Sequence, residues 1–312
     1  MTDTIHDLII IGGGPGGLTA GIYAKRAALD TVLFEKGQAG GQIFNTEEVE
    51  NYPGFQKVTG PELAQALEKH AQGYELTVER AEVAAVEPHL DAHAVHLEDG
   101  TVRRAHAVIL ATGGRPNQLK VPGEDEFYGR GVSYCATCDG FFFRNQIVAV
   151  VGGGDAAAEE ALYLAKITEK VFLIHRRDQL RASRILQERV LKEPKIEVLW
   201  NRTVAEVKAD QAGVHQLVLR DVASGELSDL SVTGLFIFVG FTPNNQLTPQ
   251  GVKLSADGYV VTDDKCMTSI DGIFAVGDIR EKFARQIVTA AADGCVAALA
   301  AAHYVENRKA RA

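Results

Sequence analysis

Two glycine-rich turns, each set between an apolar strand and a helix-forming run, and an outline repeat of the segments after them predict an α/β protein. The expected architecture is two Rossmann-like (three-layer ββα) nucleotide-binding domains, the second inserted in the first. A length of 312 residues fits two domains, and 46% hydrophobic with 23% charged residues supplies two cores. The net charge of −9 speaks against nucleic acid or an anionic membrane as the main partner. No run of about 18 apolar residues is read in the chain, so no transmembrane helix is expected. Met1 to Asp7 carries no basic leader region, which with the cysteine usage points to the cytoplasm and to no metal site.

The first turn is Gly12-Gly13-Gly14-Pro15-Gly16-Gly17, after the strand Leu8 to Ile11 and before the helical run Leu18 to Ala28. Gly12, Gly14 and Gly17 fit G-x-G-x-x-G, in which small residues let the backbone approach a pyrophosphate at the positive end of a helix. Glu35 stands twenty-three residues after Gly12, at the end of the strand Thr31 to Phe34. An acid there accepts hydrogen bonds from a free ribose diol, as in FAD or NAD.

The second turn is Gly152-Gly153-Gly154-Asp155-Ala156-Ala157, after Ile147 to Val151 and before the helix Ala156 to Lys166. The same spacing lands on His175, at the end of the strand Lys170 to Ile174, with Arg176, Arg177 and Arg181 after it. Guanidinium groups in place of an acid are what a 2′-phosphate requires, so this turn reads as an NADPH site. The competing reading is a solvated helix start.

Each half then carries a hairpin signal, Asp99-Gly100 and Ser224-Gly225, and next a strand, Ala107 to Ala111 and Leu235 to Val239. Each closes on Pro-Asn, within Thr112-Gly113-Gly114-Arg115-Pro116-Asn117 and within Gly240-Phe241-Thr242-Pro243-Asn244. Proline restrains its own φ and the residue before it, so both segments are expected to be extended crossings between domains. The tail holds a strand and turn ending at Gly277-Asp278 and an apolar helix from Gln286 to Tyr304. It is too short for a third domain and is expected to return to the first. The boundaries are then 1–115 plus 246–312 for one domain and 116–245 for the other.

Cys135-Ala136-Thr137-Cys138 stands fourteen residues ahead of Gly152 and is succeeded by Asp139. Two intervening residues let the sulfurs close a small ring, and a neighbouring thiol helps lower the pKa of its partner, so that one becomes a thiolate near neutral pH and reversible redox chemistry is expected. Zinc fits poorly, because the remaining cysteines, Cys266 and Cys295, are widely separated and have no histidine beside them. A stapling disulfide fits poorly because the loop is so short. Cys266 and Cys295 are expected to be buried and inert.

These residues resemble the bacterial low-molecular-weight thioredoxin reductases, within the pyridine nucleotide-disulfide oxidoreductases, over essentially the whole chain. The resemblance rests on Cys135-Ala-Thr-Cys138-Asp139-Gly140, His175-Arg-Arg with Arg181, and Gly277-Asp278 with Arg285-Gln286 beyond it. It implies a homodimer with FAD in the split domain, NADPH in the inserted one, and thioredoxin as the protein substrate. It further implies that Glu35, Lys36 and the segment through Gly41 and Gln42 wrap the adenosine and pyrophosphate, and that Asn51 lies near the flavin. Ala111, Thr112 and Gly113 border the same site, Asp278 meets the ribityl chain, and Arg285, Gln286 and Ile287 approach the isoalloxazine. Cys138 is then the flavin-facing sulfur, Cys135 attacks thioredoxin, and Asp139 shuttles a proton, against a plain turn-residue reading.

The resemblance also implies rotation of the inserted domain about the crossings and a docking surface from Arg130, Phe141 and Phe142, for which ordinary strand core is the alternative. Asp155 stands where many relatives have Asn, and Tyr134 and Phe143 are at variable positions. A dithiol oxidase would need no second nucleotide site, and a hydroperoxide-linked relative would carry an N-terminal extension that Gly12 leaves no room for. A redox-sensing binding protein would lack turnover with a disulfide substrate.

Overall fold

The computed structural model describes residues 5–46, 49–211 and 213–310; the N-terminal stretch read for a leader begins in residues 1–4, outside them. The chain divides into two compact units, the first of residues 1–115 and 242–312, the second of residues 116–241.

In the first unit β1 (Ile5–Ile11) leads through the glycine turn into α1 (Pro15–Arg26) and back to β2 (Thr31–Glu35). The helix starts earlier than Leu18 because Pro15, with its preset φ, occupies the first turn. It stops before Ala28, which adopts a φ of 57°. Then come α2 (Gly60–Gly73), β3 (Thr77–Arg80), β4 (Val83–Glu87), β5 (His93–Leu97), β6 (Val102–Leu110) and β7 (Gly114–Pro116). The helix α2 is an element the sequence reading passed over. Its signal is local: Thr59 accepts the amide of Glu62 while the Glu62 carboxylate accepts the amide of Thr59, a capping box.

The second unit runs β8 (Val132–Ser133), α3 (Ala136–Asp139), β9 (Ile147–Gly152), α4 (Asp155–Ala165), β10 (Lys170–His175), α5 (Arg184–Lys192) and β11 (Ile196–Trp200). It continues through β12 (Arg202–Asp210), β13 (Gly213–Asp221), β14 (Leu227–Ser231) and β15 (Gly234–Phe238). The chain then returns through β16 (Phe241–Pro243), β17 (Ile273–Ala275) and α6 (Ile287–Lys309). The crossing strands β7 and β16 pair as a two-stranded sheet.

The sheet of the first unit has the order β3-β2-β1-β6-β5-β4. The N-terminal half of β6 pairs antiparallel with β5, while Val108 to Leu110 pair parallel with β17. The hairpin turn at Asp99-Gly100 has Gly100 at a φ of 85°. Alternation along β1 sorts its side chains into two cores: Leu8 and Ile10 pack against α1 and α6, while Ile9 and Ile11 pack against the hairpin strands and the segment around Val252 and Val260. Each such fully buried Leu or Ile contributes about 1.5–3 kcal/mol.

In the second unit the order is β11-β10-β9-β15-β8, all parallel, with β12-β13-β14 as a separate antiparallel sheet. Val148 and Val150 face α4, and Ala149 and Val151 face the antiparallel sheet. The second unit thus has helices, a parallel sheet and a separate β layer, while in the first the antiparallel strands β4 and β5 continue a mixed sheet, and the predicted α/β class with Rossmann-like sheets is what folds. In each, the glycine turn leaves the carboxyl end of a strand flanked by two others, where such sheets open a crevice.

The helix α6 corrects one expectation. By length and composition it is apolar enough to cross a membrane, contrary to the reading that no such run exists. Alanine raises its hydropathy while adding little apolar bulk, and Ala290, Gly294, Ala297, Ala298 and Ala301 let it lie closely on α1 in the core. A Cβ at Gly294 would stand 2.1 Å from the Gly16 carbonyl oxygen.

Candidate functional site

The first glycine turn is shaped by contacts that exclude side chains. A Cβ at Gly17 would lie 1.9 Å from the Gly12 carbonyl oxygen, and one at Gly12 would lie 2.4 Å from the Ala111 carbonyl oxygen. Gly14 differs, since a Cβ there meets nothing within 4 Å. It is the N-cap of α1 and offers no capping side chain, so the helix's first amides face open space with their partial positive charge. The Glu35 carboxylate is gripped from both sides, accepting the Gly13 amide at 2.7 Å and the Gly37 amide at 2.8 Å. Around it lies a cavity of about 320 Å³ lined by Glu35, Gly37, Gln38, Ala39, Glu68, Val78 and Arg80. Glu68 and Arg80 were not singled out in the sequence, because α2 and β3 deliver them from outside the motif. Lys36 points away, exposed and 3.5 Å from Glu82.

Gly40 and Gly41 carry the chain across this turn, the Gly40 amide donating to the Gly13 carbonyl at 2.8 Å. Beyond them a small core of Ile43, Val49 and Leu63, with Ile287 against it, gathers segments far apart in sequence. There the Asn51 amide donates to the Gln286 side chain at 3.2 Å, and Gln42 donates to the Gly114 carbonyl at 3.3 Å. Thr112 and Asn244 exchange hydrogen bonds of 2.7 and 2.9 Å beside Gly113. The Arg285 guanidinium lies 4.0 Å from the centre of the Tyr259 ring.

Asp278 sits in the Gly277–Ile279 turn after β17, and its Oδ1 is buried with no hydrogen-bond partner among the described residues. Burial raises its pKa, opposed by Lys282 and Arg285. A buried acceptor left open, a turn whose Gly14 lies clear of other atoms and an acid held at the end of β2 fit a flavin dinucleotide.

The second turn repeats the logic with different chemistry. A Cβ at Gly152 would lie 2.5 Å from the Phe238 carbonyl oxygen, and one at Gly153 would stand 2.1 Å from the His175 ring. Gly154 again has nothing within 4 Å. His175 is buried, its pKa lowered by desolvation, and its Nε2 meets the Gln179 carbonyl at 3.0 Å. The ring therefore supports the floor of the turn beneath Gly153. Arg176, Arg177 and Arg181 are exposed on the loop after β10, and the Arg181 and Ala182 amides donate to the Gly153 carbonyl at 2.6 and 3.0 Å. The Asp155 carboxylate accepts the Ser183 amide at 2.5 Å. The acid is thereby committed to anchoring the arginine loop to Ala156, Ala157 and the rest of the α4 N-terminus. The open Gly154, the uncapped α4 and three solvent-facing guanidinium groups suit a phosphorylated nucleotide.

Cys135 and Cys138 are bonded as a disulfide at the start of α3. The organising side chain is Ser133, which the sequence reading missed. It is buried, its hydroxyl donates to the Asp139 carboxylate at 2.5 Å, and its oxygen accepts the Cys135 amide at 3.1 Å. The Cys135 sulfur lies 3.5 Å from the Thr137 hydroxyl. Behind the pair, Tyr134 donates to Glu124 at 2.8 Å, and the Glu124 carboxylate also accepts the amides of Leu119 at 2.8 Å and Lys120 at 2.6 Å.

Phe143 is core, edge-on to Phe236 at 5.3 Å. Phe141 and Phe142 lie in the Gly140–Phe143 turn, 56% and 37% exposed, so the strand-core reading of these two is wrong. Helical turn geometry after α3 directs them outward. Arg130 is exposed, 6.0 Å from the Phe127 ring.

The other cysteines lie in the first unit. Cys266 is buried, with its thiol pushed up to about 11 by desolvation. Cys295 is only partly buried, contrary to expectation, and lies beside Tyr23 of α1.

Residues 6–294 match the family model of the pyridine nucleotide-disulphide oxidoreductases. The chain is 44% identical over 307 residues to a thioredoxin reductase of Bacillus subtilis, covering 98% of this chain and 96% of that one. It is 45% identical to a thioredoxin reductase of Treponema pallidum, covering 98% and 99% of the two chains. The crystal structure of thioredoxin reductase from Streptococcus pyogenes superposes with a TM-score of 0.95 at 42% identity, covering 98% of this chain and all of that one.

Proposed function

From a chain that belongs to the pyridine nucleotide-disulphide oxidoreductase family, we infer an NADPH-dependent, FAD-containing thioredoxin-disulfide reductase. The observation that carries the reading is the Cys135–Cys138 disulfide in the same unit as the second nucleotide turn.

We assign FAD to the first unit, with Gly12, Gly14, Pro15, Gly17 and the α1 N-terminus at the pyrophosphate and Glu35 at the ribose. Asn51, Ala111 to Gly113, Gly277, Asp278 and Arg285 to Ile287 serve the flavin end. NADPH is assigned to the second unit, with Gly152, Gly154 and the amides of Asp155 to Ala157 at the pyrophosphate and Arg176, Arg177 and Arg181 at the 2′-phosphate. Together, when bound, these groups supply two electrons to the disulfide.

The protein's part is then thiol chemistry. Cleavage of the Cys135–Cys138 bond takes up two electrons and yields two thiolates, of which Cys138 takes up a proton that Asp139 is placed to deliver. The Cys135 thiolate attacks one sulfur of the thioredoxin disulfide, forming a mixed disulfide and releasing the other sulfur as a thiolate. Cys138, returning its proton to Asp139, then attacks Cys135, the mixed disulfide breaks and Cys135–Cys138 re-forms, while the two thioredoxin thiolates take up that proton and one from solvent to leave as the dithiol. Ser133 holds Asp139 and the Cys135 amide in register throughout.

Phe141, Phe142 and Arg130 are the proposed docking surface. A second copy of the chain would cover the outward face of α6, where Val288, Val296 and Leu299 are 42%, 39% and 46% exposed. The proposed setting is the cytoplasm.

The test is NADPH oxidation by the purified protein with and without thioredoxin. Turnover only with thioredoxin, abolished in Cys138→Ser, is expected; full turnover by Cys138→Ser refutes the dithiol mechanism.

A further inference from the structure

We propose that Lys282 and Asp293 are positioning residues for FAD, a pair that fixes the turn at Gly277–Ile279 and presents Asp278 as a hydrogen-bond acceptor to the flavin's ribityl chain. The proposal deepens the FAD reading of the first unit and rests on it.

Asp293 projects from α6 and ties down both ends of the turn. Its Oδ2 accepts the Gly277 amide at 3.0 Å and the Lys282 ammonium at 3.0 Å, while its Oδ1 accepts Arg280 at 2.8 Å. Lys282 is held further by the Thr289 hydroxyl at 3.3 Å. The side chains of Arg280, Asp293 and Lys282 are 16%, 13% and 11% exposed, so these charges interact in a medium far less screening than water. Buried ion pairs are poor stabilisers compared with apolar side chains of equal volume, so stability alone does not account for such a cluster.

The geometry supplies another role. The Lys282 ammonium stops 3.9 Å from Asp278 Oδ1, close enough to favour the charged carboxylate yet too far to use its lone pairs. That oxygen is buried and has no hydrogen-bond partner among the described residues. The charged and titratable groups around Asp278 are Lys282, Arg285, Asp293 and Tyr259. Desolvation raises the Asp278 pKa, Lys282 and Arg285 lower it, and Asp293 raises it. An ionised carboxylate accepts a hydroxyl hydrogen bond more strongly than a neutral one, so flavin affinity is retained above this pKa and lost as pH falls through it.

The test measures FAD release from the full-length protein by the fluorescence of free flavin, across about pH 5 to 9, for wild type, Lys282→Met and Lys282→Arg. Lys282→Met is expected to hold FAD about tenfold more weakly and to lose it at higher pH, because removing the cation raises the Asp278 pKa. Lys282→Arg is expected to restore both, and since a loosened turn alone would not move the pH at which FAD is lost, that shift separates positioning from general destabilisation. Lys282→Met with wild-type affinity, or weaker with an unshifted pH dependence, overturns the proposal. A wild-type protein that binds no FAD at all overturns instead the assignment on which it rests.

Discussion

Adjacent glycines in the second turn face opposite fates on substitution. In Gly154→Ala the added methyl meets no atom within 4 Å, and the position is the N-cap of α4, where alanine in place of glycine costs about 1 kcal/mol or less. The variant is therefore expected to fold as wild type. The same methyl occupies the space in front of the α4 amides, where a pyrophosphate would accept hydrogen bonds worth about 1.5–3 kcal/mol each. Loss of one corresponds to roughly ten- to hundredfold weaker NADPH binding.

In Gly153→Ala the methyl would lie 2.1 Å from a His175 ring that is buried and anchored to the Gln179 carbonyl. Overpacking of that kind costs about 1–3 kcal/mol, so this variant is expected to lose stability. Calorimetric titration with NADPH and thermal unfolding separate the two. Gly154→Ala with wild-type NADPH affinity would refute the placement of the phosphates at α4.

Two further outcomes are expected. Replacing Arg176, Arg177 and Arg181 by Ala should raise the KM for NADPH while leaving that for NADH nearly unchanged, since only the former carries the 2′-phosphate; an unaltered ratio of kcat/KM refutes the assignment. His93, buried beneath Gly272 and Tyr304, has its pKa lowered to about 4 by desolvation, with Arg308 adding. Its depressed folded pKa means the unfolded chain binds the extra proton first. Its contribution of roughly 3 kcal/mol is therefore complete above about pH 6.5 and lost as pH falls towards 4. Denaturant unfolding of His93→Gln should show a shallower acid slope in that window, and an identical slope excludes His93 as its source.

Much of the fold and of the site was readable along the chain. The glycine turns, the acid after β2, the arginines after β10 and the Cys-x-x-Cys are short-range patterns, and the backbone and charge chemistry they encode acts within a few residues. The capping box of α2 is equally local, set by Thr59 and Glu62 alone. The apolar length of α6 is hidden in sequence because an alanine-rich stretch carries its hydropathy without large side chains.

What the sequence by itself determined is the α/β class and the two kinds of nucleotide chemistry, because strand alternation, tight turns and helix starts depend on neighbouring residues. Only the tertiary structure decided how the side chains between those motifs are used. Ser133 is an ordinary strand residue until α3 turns Asp139 back onto it, and His175 is a mark on a spacing ruler until it fills the space beneath Gly153. Asp293 is one acid in an alanine-rich helix until α6 packs beside the turn holding Gly277 and Lys282. Such roles depend on which groups lose water together, and that is set by packing between segments whose separation in sequence carries no record of their contact.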